Sequence, residues 1–191
     1  MNAYTINFNP VFNMTDEQFY QLCQLNPDAK FERNAKGELL IMSPTGGETG
    51  SNNATLTARF VVWNEQTKLG IVFDSSTGFK LPNGGDRSPD VAWVKKERWD
   101  ALTPEQKKKF PPISPDFVLE LMLPTDTLRE TQAKMQEYMS SGVKLGWLVD
   151  PETRRVEIYR LGQDIEVLDA PEMLSGEDVL PSFMLNLQAI W

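Results

Sequence analysis

"SPDFVLELMLP", residues 114–124, decides how this chain is read. Taken as a β-strand, its alternation sets Asp116, Val118, Glu120 and Met122 on one face and Phe117, Leu119, Leu121 and Leu123 on the other. Glu120 then points where its aliphatic neighbours point. An ionised carboxylate taken out of water without a partner is costly, which leaves four outcomes: a bound cation, a basic side chain, a raised pKa or an exposed sheet face.

The segments on either side supply candidates for that partner. Downstream, "TDTLRETQAKMQEYMSSG" reads as a helix with Leu128, Met135 and Met139 on its apolar stripe and Gly142 at its C-terminal end. "LGWLVDPETRRVEIYR" then gives a strand, a turn at "DPET" and a second strand. Upstream lie the short strands "IVFD" (71–74), "GFKLP" (78–82) and "VAWV" (91–94), and the charged, helical excursion "KKERWDALTPEQKKKFPP". Before these, "TDEQFYQLCQL" opens on Thr15 and Gln18 at capping-box spacing, and "KFERNAKGELLIM" reads as a hairpin turning at Gly37. "SPTGGETGSNN" feeds a helix expected from about Ser51, with Leu56, Phe60 and Trp63 on one face. Its glycines match neither phosphate-binding pattern, G-x-x-x-x-G-K-[ST] or G-x-G-x-x-G. The expected fold class is α/β, helices packed on one central sheet, in a single domain over residues 1–191.

Composition narrows the chemistry. The 191 residues carry no histidine, which excludes Ser-His-Asp and Cys-His mechanisms and histidine-bound zinc together. A lone cysteine, Cys23, excludes an intrachain disulfide framework, and its spacing with Phe19 and Leu22 assigns it to helix packing. The net charge of −8 argues against a protein that coats nucleic acid broadly, though a local basic groove stays open to it. The N-terminus lacks the pattern of a secretory leader, and no run approaches the roughly 18 apolar residues of a membrane span, so a cytoplasmic protein is expected.

"SPD" precedes a strand twice, at 88–90 and 114–116. If those strands pair, Asp90 and Glu120 converge at the sheet surface as a two-carboxylate site for a hard cation, Mg²⁺ first and Mn²⁺ as a substitute. Lys134, about 100° from the stripe marked by Met135, is the cationic neighbour that a metal-activated water needs. Each has a structural alternative: Asp90 as a turn or cap residue, Glu120 in a salt bridge to an arginine, Lys134 as an exposed lysine paired with Glu130 or Glu137. The lysine runs "VKK" and "QKKK" are either phosphate grips or solvated faces.

"ERNAKGELLIMSPTGGETG", "SPDVAWV", "PDFVLEL" followed by "PTD", and "KMQEYMSSGVKLGWLVDPETRRVEIYR" together resemble the Uma2 family of restriction-endonuclease-like proteins, abundant in cyanobacteria and part of the PD-(D/E)XK nuclease superfamily. The resemblance runs over roughly residues 14 to 187. It implies a restriction-endonuclease-like core with a mixed central β-sheet flanked by helices, Mg²⁺-dependent hydrolysis of DNA phosphodiester bonds, and homodimers. Residue by residue, it makes Asp90 the motif aspartate, Glu120 the motif glutamate and the Leu121 carbonyl a further metal ligand. The superfamily's lysine belongs two residues after the glutamate, where this chain has Met122. Lys134 on the next helix is the implied replacement, and Glu48 resembles an acid that some members contribute from their first helix. The competing expectation is a catalytically inactive nuclease-fold dimer serving as a binding or regulatory module; a hydrolase of a small anionic substrate is a more distant one.

Overall fold

The computed structural model describes residues 4–191. In chain order its elements are β1 (Tyr4–Ile6), α1 (Asp16–Leu25), β2 (Lys30–Arg33), β3 (Leu39–Met42), α2 (Gly47–Thr67), β4 (Gly70–Asp74), β5 (Phe79–Lys80), β6 (Asp86–Arg87) and β7 (Val91–Lys95). There follow α3 (Lys96–Asp100), α4 (Pro104–Lys108), β8 (Phe117–Leu121), α5 (Leu128–Ser140), β9 (Leu145–Asp150), β10 (Arg155–Arg160), β11 (Glu166–Asp169), β12 (Met173–Ser175) and β13 (Met184–Asn186). A six-stranded central sheet runs β11-β10-β9-β8-β7-β4. Its pairs are antiparallel except β8 with β9, which are parallel and joined through α5. A βαβ unit therefore lies at the middle of a mixed sheet, where a parallel pair needs a crossover helix to return the chain.

β8 is buried along its whole length, and its alternation divides two cores. Phe117, Leu119 and Leu121 join Leu56, Phe60 and Trp63 of α2 and the C-terminal residues Leu180, Phe183 and Leu185 on one face. Val118 and Met122 join Met135, Tyr138 and Met139 of α5 on the other. Each such side chain contributes about 1.5–3 kcal/mol on burial, so the strand is held from both sides. The capping box at Thr15 and Gln18 is formed and Phe19 is buried, as the spacing predicts.

Two differences from the sequence reading have physical causes. α2 begins at Gly47 rather than near Ser51. Its first turn holds two glycines with weak helix propensity, which masks the start of the helix. The chain also builds a second sheet, β1-β3-β2-β6-β5, beside the central one. β5 and β6 have two residues each, too short for any periodicity to register, and only Arg33↔Asp86 pairs β2 with β6. The residue after Arg87 turns out of this outer sheet, and Ser88-Pro89-Asp90 carries the chain into β7.

Candidate active site

The first "SPD" delivers Asp90 to the edge of the central sheet. β7 and β8 pair antiparallel with Val91↔Leu119, so Asp90 falls beside Glu120 and Leu121. The Leu121 N–H donates to Asp90 Oδ2 at 2.9 Å, and the Asn53 amide of α2 donates to Oδ1 at 3.3 Å. Glu120 meets α5: Lys134 Nζ is 2.8 Å from its Oε1, and the Tyr138 hydroxyl donates to the same oxygen at 2.8 Å. Lys134 and Tyr138 stand one helical turn apart and so share the face that looks onto β8. The buried acid in the middle of β8 is thus answered by a lysine and a phenol together.

The outer sheet contributes a third carboxylate. Glu32 of β2 is buried, and its Oε1 lies 3.0 Å from Lys134 Nζ while also accepting from the Ser88 N–H at 3.0 Å. Its Oε2 accepts from Arg87 at 2.8 Å. Arg87 in turn pairs with Glu137 of α5, whose Oε1 accepts from the Ala35 N–H at 3.0 Å. Lys134 is therefore held between two sheets. The second "SPD" serves the fold instead: Asp116 is buried, with Arg98 at 2.8 Å and Lys144 at 2.9 Å.

Four carboxylates, Glu32, Asp90, Glu120 and Glu137, thus surround two cations, Arg87 and Lys134. Burial raises the Glu120 carboxyl to about 7, with repulsion from Asp90 and Glu32 adding to it and Lys134 opposing it. Burial likewise raises Asp90, against the pull of Lys134 and the Leu121 N–H. For Glu32 burial also works upward, but Lys134 and Arg87 outweigh it and hold the carboxyl down to about 2. Burial would lower the Lys134 ammonium, yet the Glu120 and Glu32 carboxylates keep it raised. Four carboxylates face two cations, and Asp90 is the acid of the cluster that has no ion pair among the described residues, its partners being the Leu121 N–H and the Asn53 amide.

A family model described as "Putative restriction endonuclease" matches residues 16–188. The chain belongs to the Uma2 family. Its fold is similar to that of a putative nuclease of the DUF820 group from Anabaena variabilis, with 17% identity, a TM-score of 0.72, and 85% of this chain and 90% of that one covered. No curated protein matches the chain by sequence. The Uma2 membership and the restriction-endonuclease-like α/β core agree with the expectation from the sequence.

Of the site residues expected from that sequence, this Uma2 chain brings Asp90, Glu120, Leu121 and Lys134 to one cleft of about 960 Å³. Glu48 is exposed in the first turn of α2 and does not line the cleft, whereas Thr49 and Asn53 of the same helix do. Neither Glu130 nor Glu137 takes Lys134; Glu120 and Glu32 do. Glu32, Arg87 and Tyr138 escaped the sequence reading, though each left a trace. Glu32 is an acid inside the hairpin strand "KFER", Arg87 directly precedes the first "SPD", and Tyr138 is four residues beyond Lys134.

The donor set can be tested for a hard cation. Among the described residues no group of three or more His, Cys, Asp or Glu side chains gathers as metal ligands. Glu120 Oε1 is taken by Lys134 and Tyr138, while Oε2 has no donor among the described residues. The Asp90 carboxylate, which has no ion pair among the described residues, and the Oε2 of Glu120 fit an Mg²⁺ ion, which takes few protein ligands and keeps several waters. No helix among the described residues is long and apolar enough to cross a membrane.

Proposed function

We propose that the protein is a divalent-metal-dependent endonuclease that hydrolyses DNA phosphodiester bonds at the Asp90–Glu120–Lys134 cluster. The observation that carries this reading is Lys134 seated 2.8 Å from Glu120, on the helix after the motif strand, which is where the resemblance to the family implies that the superfamily's lysine has moved, position 122 being Met. Asp90, the free Oε2 of Glu120 and the Leu121 carbonyl would hold Mg²⁺, with Mn²⁺ able to replace it. The ion supplies a water of lowered pKa and neutralises charge on the phosphate.

The chain's own groups do the rest. The Leu121 N–H and the Asn53 amide fix Asp90 from two sides. Tyr138 and Lys134 lock Oε1 of Glu120, which leaves Oε2 to face the reacting centre. Lys134 Nζ offsets the negative charge that builds on the phosphoryl oxygens, a role that preorganised cations fill at low reorganisation cost. Glu32 and Arg87 keep that ammonium in place.

Plasmid and single-stranded circular DNA incubated with Mg²⁺ or Mn²⁺ test the reading: the wild type cuts at least one of them and Glu120→Ala cuts neither. Undiminished cleavage by Glu120→Ala would overturn the assignment. Met122 at the superfamily's lysine position and the two donors already on Glu120 Oε1 favour a second reading, an inactive nuclease-fold dimer that binds or regulates. No heat on calorimetric titration with Mg²⁺, together with no DNA shift at low salt, selects it. The family likeness supports a homodimer in either reading, which sedimentation equilibrium measures.

A further inference from the structure

We infer that the cleft accepts one DNA strand rather than an intact duplex, with Leu40 and Met42 as the shelf on which a base lies; the inference rests on the nuclease reading above. One wall of the cleft is the inner face of the outer sheet. The registers Thr5↔Leu40, Glu32↔Leu40 and Lys30↔Met42 set these side chains side by side, and all of them line the cleft. Leu40 and Met42 are half-buried and belong to neither core. An apolar shelf beside the site carboxylates does nothing for a phosphate, but it suits the flat face of an unstacked base, the contact by which single-strand binders gain affinity.

The charges agree with a single strand. Arg87 and Lys134 are engaged by Glu32, Glu120 and Glu137. Lys30 and Lys36 are the remaining cleft cations, and neither has an ion-pair partner among the described residues. A duplex binder neutralises about 6–10 phosphates with Lys and Arg, far more than two. The lysine runs do not make up the shortfall, because none of Lys95, Lys96, Lys107, Lys108 and Lys109 lines the cleft; Lys95 pairs with Glu97, Lys96 with Asp100 and Lys109 with Glu17, and Lys107 lies over the Trp99 ring. A volume of about 960 Å³ is pocket-sized, enough for a few nucleotides.

The test uses full-length Glu120→Gln, which keeps a hydrogen-bonding group on β8 and blocks turnover, with a fluorescein-labelled 12-nucleotide DNA strand and its blunt duplex followed by anisotropy at low salt. The strand is expected to bind about tenfold more tightly than the duplex, and Leu40→Ala with Met42→Ala to weaken the strand about fivefold without changing the duplex. Equal or tighter duplex binding overturns the inference, as does binding of neither probe, or strand binding that a folded shelf variant leaves intact. If the shelf variant does not fold, the strand-to-duplex ratio on Glu120→Gln decides alone. Failure of the nuclease reading shows separately, as preferential strand binding by a wild-type protein that cuts neither strand nor plasmid with Mg²⁺.

Discussion

Lys134 Nζ lies 3.0 Å from Glu32 and 2.8 Å from Glu120, and its side chain is largely shielded from water. Lys134→Met leaves two buried carboxylates facing one another without their shared cation. Breaking a buried pair in this way costs about 3–5 kcal/mol, so urea denaturation of Lys134→Met should show a loss of that size together with loss of cleavage. Glu120 makes a second prediction. Its carboxyl, raised by burial from 4.5 to about 7, keeps its proton in the folded protein at pH values where an exposed glutamate has lost it. On the proposed reading Mg²⁺ is held by the ionised form, so its binding would expel that proton. Calorimetric titrations should show Mg²⁺ affinity rising between about pH 6 and pH 8, with proton release visible as a dependence on buffer ionisation heat. Affinity that stays flat over this range would place the ion elsewhere.

At the scale of elements, the position of α5 sets the site, because Lys134 and Tyr138 both ride on it. α5 packs against β9 where Gly146 stands: a Cβ there would meet Met135 Cε at 2.6 Å and Val118 Cγ2 at 3.4 Å. The Met135 tip is flexible, so Gly146→Ala should be tolerated. Gly146→Val should push the helix off the sheet, lower the melting temperature by several degrees and cut cleavage more than tenfold, since catalytic groups displaced by about 1 Å lose about 10²-fold. Thermal melts and plasmid assays on the two variants check this. The β8–α5–β9 unit was legible because a strand packed on both faces reads as a continuous apolar run, and Glu120 interrupts that run visibly. Asp90 was legible through the repeated "SPD", although the second copy proved structural: Asp116 meets Arg98 and Lys144. Glu32 and Arg87 were not legible as partners of Lys134. Their meeting depends on how the outer sheet leans on α5, and two-residue strands leave no pattern from which to derive it.

Over the whole molecule, the last segment of chain closes the core on the face of the central sheet away from the site. The Phe183 ring centroid lies 4.3 Å from that of Phe60 and 5.4 Å from that of Trp63, and the Trp63 indole N–H donates to the Pro181 carbonyl at 3.1 Å. Leu174, Leu180, Leu185, Leu187 and Ile190 are buried in the same cluster. At about 1.5–3 kcal/mol for each buried side chain, the segment contributes as much as the whole net stability of an ordinary domain, about 5–15 kcal/mol. A chain ended after Ala170 should therefore fail to fold, losing its near-ultraviolet circular dichroism and its cooperative melt. The full chain should unfold in one transition, coincident by tryptophan fluorescence and by circular dichroism, as a single domain does. Two separated transitions, or a truncated chain that still melts cooperatively, would mean that β12, β13 and the residues after them form a unit apart. The site would then have to be stabilised by the outer sheet and α5 alone, through Glu32, Arg87 and Glu137.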